Sequence, residues 1–130
     1  MLIIENGTVY TPLRSIADGA VLVKDGRIEA VGRRGRLAVP KSVQRLDAHG
    51  GTITPGFINM HIHGAGGYSA MDGQAASYHA MSLLVSRHGV TSYVPTTASA
   101  TLDVIEQALR AARQARHEGT PGAEILGIHV

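Results

Sequence analysis

Three short apolar runs with strand character begin near Gly56, Thr91 and Glu124, and a stretch of helical periodicity separates each from the next. This alternation constrains the fold more than any other feature. Strand, helix, strand, helix, strand at one βα unit per repeat predicts a parallel sheet, because parallel neighbours need a crossover of a dozen or more residues. The first helix is expected from about Asp72, as N-cap, through Ala75, Ala76, Met81, Leu83 and Leu84 to a stop at Gly89. The second is expected from about Thr101, with Asp103 in its first turn and Leu102, Ile105, Leu109 and Ala112 on the buried stripe, ending at Gly119 and Pro121. Arg110, Arg113 and Arg116 then form a solvated outer face, with Glu106 placed to pair with Arg110 four residues on. Residues 125–130 read as the third strand, Ile125, Gly127 and His129 on one face and Leu126, Ile128 and Val130 on the other. No turn, cap or polar tail follows, so the chain is expected to stop within an element.

Before this alternation the pattern is all-β. Runs at residues 2–11, 20–24, 27–32 and 42–47 are broken by turn residues and predict a small strand-rich unit over residues 1–54. Asp25-Gly26 is the strongest hairpin signal, since a two-residue type I′ turn needs positive φ at both central positions. So few short strands bury little on their own, and the unit is expected to pack on something larger or to take strands from elsewhere.

Chemistry is concentrated where the two patterns meet, in Pro55-Gly-Phe-Ile-Asn-Met-His-Ile-His-Gly64. Strand side chains alternate faces, so His61 and His63 are expected on one face and Ile58, Met60 and Ile62 on the other. Imidazole nitrogens bind divalent zinc at about 2.0–2.1 Å, and strand residues rise about 3.3 Å each, so two neighbours in this alternation can converge on one ion. His61 and His63 are therefore candidate metal ligands. A glycine-rich loop, residues 64–71, follows the strand at the end where barrel folds carry their sites. Gly66 and Gly67 in that loop permit close backbone approach by a substrate, or simply a tight turn. Thr96 and Thr97 occupy the equivalent end of the second strand, either facing a substrate or simply leading to the next helix, and His129 can face the same way as His61 and His63, either lining the site or sitting as a satisfied core histidine. His49, His79, His88 and His117 read as structural or exposed.

A net charge of +2, one Phe, four Tyr and no Trp disfavour nucleic-acid binding, which needs a basic face and stacking platforms. The absence of cysteine fits a reducing compartment, and no run is long and apolar enough to span a bilayer, so the cytoplasm is expected and no membrane partner.

These residues carry a resemblance. The stretch Asp47-Ala-His-Gly-Gly-Thr-Ile-Thr-Pro-Gly-Phe-Ile-Asn-Met-His-Ile-His63 resembles the passage from the small β-domain into the first barrel strand of the amidohydrolase superfamily. Gly64-Ala-Gly-Gly-Tyr-Ser-Ala-Met-Asp72, His88-Gly-Val-Thr-Ser-Tyr-Val-Pro-Thr-Thr97 and Pro121-Gly-Ala-Glu-Ile-Leu-Gly-Ile-His129 narrow it to the N-acetylglucosamine-6-phosphate deacetylases. The resemblance implies an α/β fold: a small β-sandwich-type domain over residues 1–54, then the incomplete βαβαβ start of a TIM-like (β/α)8 barrel over residues 55–130. In that family a glutamate metal ligand follows within two residues of the strand holding His129, and further metal ligands and the catalytic aspartate lie on later strands. The chain then reads as an amino-terminal fragment without catalytic residues of its own and inactive alone.

The implied chemistry is hydrolysis of the N-acetyl group of an amino sugar 6-phosphate, with a divalent metal, zinc or iron, activating water and polarising the amide carbonyl. Family members are commonly homodimers, so a homo-oligomer is implied. Asn59 replaces an Asp that is frequent in the superfamily; its amide oxygen can still accept a hydrogen bond beside the metal ligands. Two alternatives stay open. One is another amidohydrolase, a cyclic amidase or deaminase, since His-x-His on the first strand is shared across the superfamily. The other is a non-catalytic, truncated piece that binds metal or assembles with a partner, since three strands of an eight-stranded barrel leave unpaired edges.

Overall fold

In the computed structural model, which describes residues 1–130, ten strands, two α-helices and one short 3-10 helix follow one another along the chain. They divide into two units, Met1–Pro55 and Gly56–Val130.

The first unit is built on β1 (Leu2–Tyr10), β2 (Ser15–Lys24) and β3 (Arg27–Arg33), joined as antiparallel neighbours. Asp25 and Gly26 have φ of 49° and 75°, so the β2–β3 connection is the type I′ turn the dipeptide predicts. After the 3-10 turn Arg34–Arg36, β4 (Gln44–Asp47) and β5 (Thr52–Ile53) both return parallel to β1, giving the order β3-β2-β1-β4 with β5 also on β1. Alternation sends side chains to both faces, and each face buries a small cluster: Ile3, Ala20 and Leu22 on one, Val9, Ile16, Val21 and Ile53 on the other. β2 starts five residues before the run expected from residue 20. Its register with β1 slips around Asp18, which sits at φ 47°, and Ile16 is buried beyond the slip, where strict alternation does not show it.

The second unit contains β6 (Phe57–Ile62), β7 (Gly64–Ala65), β8 (Tyr68–Ser69), α1 (Ala75–Ser86), β9 (Val90–Pro95), α2 (Leu102–Glu118) and β10 (Glu124–Ile125). β6, β9 and β10 form the expected parallel sheet in the order β10-β9-β6, and β7 with β8 make a small antiparallel hairpin. The helices cover one face of the sheet. Tyr78, Met81 and Val85 of α1, Ala111, Ala112 and Ala115 of α2, Tyr93 of β9 and Ile125 of β10 form the core between them.

The hydroxyls of Tyr78, Tyr93 and Ser82, buried in this core, are paired. The Tyr78 hydroxyl, shared between two acceptors, donates to the carbonyls of Ala70 at 2.7 Å and Ala108 at 2.9 Å. The Tyr93 hydroxyl donates to the Tyr78 carbonyl at 2.8 Å, and the Ser82 hydroxyl to the Ala123 carbonyl at 2.6 Å.

Four details differ from the sequence reading. Asp72 does not cap α1, whose N-cap is Gln74 without a side-chain bond; its carboxylate turns back to accept the Ser69 N–H at 2.8 Å. Leu102 is 83% exposed. The inward stripe of α2 is instead Ala108, Ala111, Ala112 and Ala115, small residues that let the helix lie close, and Leu102 precedes the first of them by almost two turns. Residues 125–130 do not form a continuous strand: the ladder stops at Ile125 and is rejoined at a single bridge between His129 and Thr96. Ile125 therefore faces the helical core while His129 does not, although alternation puts them together. Finally, the β6–β9 register shifts between Asn59 and Ile62. That bulge leaves Ile58, Met60 and His61 lining one cleft and turns Ile62 toward the helical core.

Candidate functional site

Parallel strands carry side chains at their carboxyl ends into a common space, and in the second unit three imidazoles meet there. His61 and His63 come from the end of β6 and His129 from the bridge beyond β10. The Nε2 atoms of His61 and His63 lie 3.2 Å apart, and Nδ1 of His61 lies 3.2 Å from Nδ1 of His129. The rings meet edge to face, with centroids 4.9 Å apart for His61 and His63 and 5.0 Å for His61 and His129. Ile58, Met60, Val94, Leu126 and Ile128 wall the same cleft, of about 580 Å³.

Backbone hydrogen bonds fix the donors in place. Thr96 N–H donates to the Ile62 carbonyl at 2.8 Å, and the Thr96 hydroxyl accepts the Ile62 N–H at 3.2 Å. His129 N–H donates to the Pro95 carbonyl at 3.0 Å, and Thr97 N–H donates to the His129 carbonyl at 2.9 Å. Thr96 and Thr97, sequence candidates for contact with a substrate, are both buried, with these groups engaged in latching β6 and His129 to the end of β9. Thr96 contributes one further contact that residue type alone does not reveal: its carbonyl lies 3.2 Å from Nδ1 of His63. Asn59 accepts the His61 N–H through its amide oxygen at 3.2 Å, so its side chain steadies the backbone of a candidate ligand.

These contacts determine where the protons sit among neutral rings. A carbonyl only accepts, so Nδ1 of His63 carries the hydrogen and its Nε2 presents a lone pair. Nε2 of His61 then donates to it, Nδ1 of His61 accepts, and Nδ1 of His129 donates. The spacing of the two Nε2 atoms also suits an ion. Two nitrogens at about 2.0–2.1 Å from a metal are 3.2 Å apart when they subtend roughly 100°, close to a tetrahedral edge. Within this chain the set ends there: no three His, Cys, Asp or Glu side chains form a group able to hold a metal ion.

Gly66 and Gly67, at φ 62° and 84°, are the two-residue turn between β7 and β8, which accounts for both glycines. A Cβ on Gly66 would come within 2.7 Å of Leu84 Cδ2, so the hairpin lies against α1. The hairpin is tied down at its far end by Asp72, whose carboxyl is held below its ordinary range by the Ser69 N–H and then by a hydrogen bond from Ser77. A lowered folded-state pKa means the tether is fully present above the unfolded value and is lost as pH falls through the folded one. The Ser69 amide resonance is therefore expected to titrate with a midpoint below 3.8, the ordinary value for Asp, and to lose that titration in Asp72→Ala. A midpoint at or above 3.8 would mean the tether does not form.

No family model matches the chain. Curated relatives do. It is 33% identical over 132 residues to the N-acetylglucosamine-6-phosphate deacetylase of Bacillus subtilis, covering 99% of this chain and 33% of that protein. It is also 33% identical over 113 residues to the N-acetylgalactosamine-6-phosphate deacetylase of Escherichia coli O157:H7, covering 87% of this chain and 28% of that protein. Among solved structures, the N-acetylglucosamine-6-phosphate deacetylase of Thermotoga maritima superposes with a TM-score of 0.72 at 30% identity, covering 98% of this chain and 31% of that one. The chain thus spans about a third of the length of the relatives it matches.

Proposed function

We propose that this chain belongs to the N-acetylglucosamine-6-phosphate deacetylase family of amidohydrolases, matching its amino-terminal third, and that it supplies the first half of a metal-dependent deacetylase site. The observation that carries the reading is the pair of Nε2 atoms 3.2 Å apart at the carboxyl end of the first parallel strand. In this reading the second unit is the start of a (β/α)8 barrel and the first is part of a β-sandwich-type domain. His61 and His63 hold a divalent ion, zinc or iron, both of which accept imidazole nitrogen.

The ion, once bound, supplies Lewis acidity that polarises the amide carbonyl and eases deprotonation of water. The chain's own residues prepare that site. The Thr96 carbonyl holds His63 in the tautomer that presents Nε2, and the Asn59 amide steadies the backbone at His61. Ile58, Met60, Val94 and Leu126 form an apolar wall beside the imidazoles. The substrate is an N-acetylated amino sugar 6-phosphate; general acid–base residues and the phosphate contacts come from chain beyond Val130. A cytoplasmic homodimer is the setting the family suggests. No helix here is long and apolar enough to cross a membrane.

The test is turnover by the intact protein carrying this chain, read as acetate release from N-acetylglucosamine 6-phosphate and from its N-acetylgalactosamine counterpart, as ring opening of a cyclic amide and as ammonia release from guanine. Turnover of either sugar phosphate well above the other two compounds supports the reading. Preference for the cyclic amide or guanine would assign the chain to a different amidohydrolase.

A further inference from the structure

Metal-ligating histidines need a hydrogen-bond partner on the nitrogen that does not bind the ion, because that partner fixes both tautomer and ring orientation. For His63 the partner is the Thr96 carbonyl. No carbonyl or carboxylate takes that place for His61; the group on its far nitrogen is another imidazole, Nδ1 of His129 at 3.2 Å. We propose that His129 is the positioning residue of His61, its Nδ1 accepting a hydrogen bond from Nδ1 of His61 when Nε2 of His61 and Nε2 of His63 hold a divalent ion. The inference rests on the reading of His61 and His63 as metal ligands.

Two features make His129 suited to this role and unsuited to be a ligand of the same ion. It touches the opposite edge of the His61 ring from His63, so it faces away from the point where the two Nε2 atoms converge. Its backbone is clamped on both sides, N–H to the Pro95 carbonyl and carbonyl to the Thr97 N–H, so the ring is presented by the sheet. The break in β10 between Ile125 and the bridge at His129 is what turns the residue to this face.

The tautomers then follow. Without metal, His61 donates through Nε2 to His63, accepts at Nδ1, and His129 carries its hydrogen on Nδ1. With metal, Nε2 of His61 must be bare, its hydrogen moves to Nδ1, and His129 must present a bare Nδ1 with its own hydrogen on Nε2. A residue that binds no metal thus changes tautomer when metal binds.

The experiment measures zinc affinity of the intact protein by chelator competition, in wild type and in His129→Ala, His129→Phe, His129→Asn and His61→Ala. Long-range proton–nitrogen spectra of the histidines with and without zinc accompany it. Loss of a positioning partner of this kind weakens metal binding by about 10–100-fold. Ala and Phe should show that loss, and Asn, whose amide oxygen can stand near the place of Nδ1, should restore most of the affinity. His129 Nδ1 should be protonated without zinc and bare, but not coordinated, with it. Three results overturn the proposal: Ala binding zinc like wild type, Asn failing as badly as Phe, or a zinc-coordinated nitrogen signal at His129. If His61→Ala also leaves zinc binding unchanged, the ligand reading itself has failed. If zinc behaves as described and no acetate is released, only the assigned activity has failed.

Discussion

His61→Ala in the intact protein is expected to abolish stoichiometric metal and reduce acetate release to background. Removal of a hydrogen-bond partner behind a ligand costs about 10–100-fold, and removal of the ligand itself costs more, so at least about 100-fold in affinity is expected, some 2.8 kcal/mol. The geometry gives the loss a particular pattern. His61 is the middle of the three imidazoles, in contact with both His63 and His129, so its removal leaves Nε2 of His63 without a neighbour. His63→Ala should be as damaging, and should also leave the Thr96 carbonyl without the ring it orients. His49→Ala is the control, because that ring is 86% exposed in the first unit, outside the imidazole cluster. Metal measured by elemental analysis, with acetate release measured beside it, checks the expectation. Equal metal in wild type and His61→Ala would contradict it.

Tyr78→Ala should have the largest effect on stability. The side chain is fully buried, and removing a large buried aromatic costs about 3–5 kcal/mol through lost burial and the cavity left behind. Its hydroxyl also connects three parts of the second unit, reaching from α1 to the Ala70 carbonyl after the hairpin and to the Ala108 carbonyl of α2. Tyr78→Phe keeps the packing and strips that hydroxyl from two buried carbonyls, for about 1–3 kcal/mol.

A pH signature distinguishes the two contributions. Burial, and secondarily the charge of Asp72, push the Tyr78 hydroxyl from 10.0 up to about 12, and burial raises Tyr93 as well. The unfolded chain ionises first, so the stability linked to these hydroxyls is fully present below pH 10.0 and is lost as pH rises through the folded value. Denaturant midpoints should fall between pH 10 and 12 in wild type and fall less steeply in Tyr78→Phe. Parallel profiles would mean that the Tyr78 hydroxyl is not buried as described.

Much of this architecture is legible because it rests on local chemistry. Asp25-Gly26 specifies its turn by the dihedrals only such residues tolerate, and the spacing of the runs from Gly56, Thr91 and Glu124 predicts the parallel sheet that β6, β9 and β10 form. Two of the departures share a cause: strict side-chain alternation does not hold where the ladder slips. At the bulge after Asn59, pairing with β9 changes register, and strict alternation puts Met60 opposite His61 when both line the same cleft. The break after Ile125 has the same consequence for His129. Neither slip has a local signal as strong as a turn dipeptide, because each is set by the neighbouring strand. Leu102 illustrates a different limit. Periodicity finds a helix face, but how far along the helix the core extends depends on where α1 and the sheet end.

At the site, the sequence points to His61 and His63 by residue type and spacing. Thr96 holds His63 through a backbone carbonyl, a group every residue has, so only the fold reveals it. Asp72 misleads for a related reason. An acidic residue before a helix is a natural cap, yet here the hairpin offers the Ser69 N–H three residues back, and the carboxylate takes it.

The most direct test of the account is acetate release from N-acetylglucosamine 6-phosphate by the intact protein, first as purified, then stripped by chelator, then reloaded with zinc or iron. The account predicts release that disappears on stripping and returns on reloading. Release unaffected by stripping, or none from fully metal-loaded protein, would contradict it.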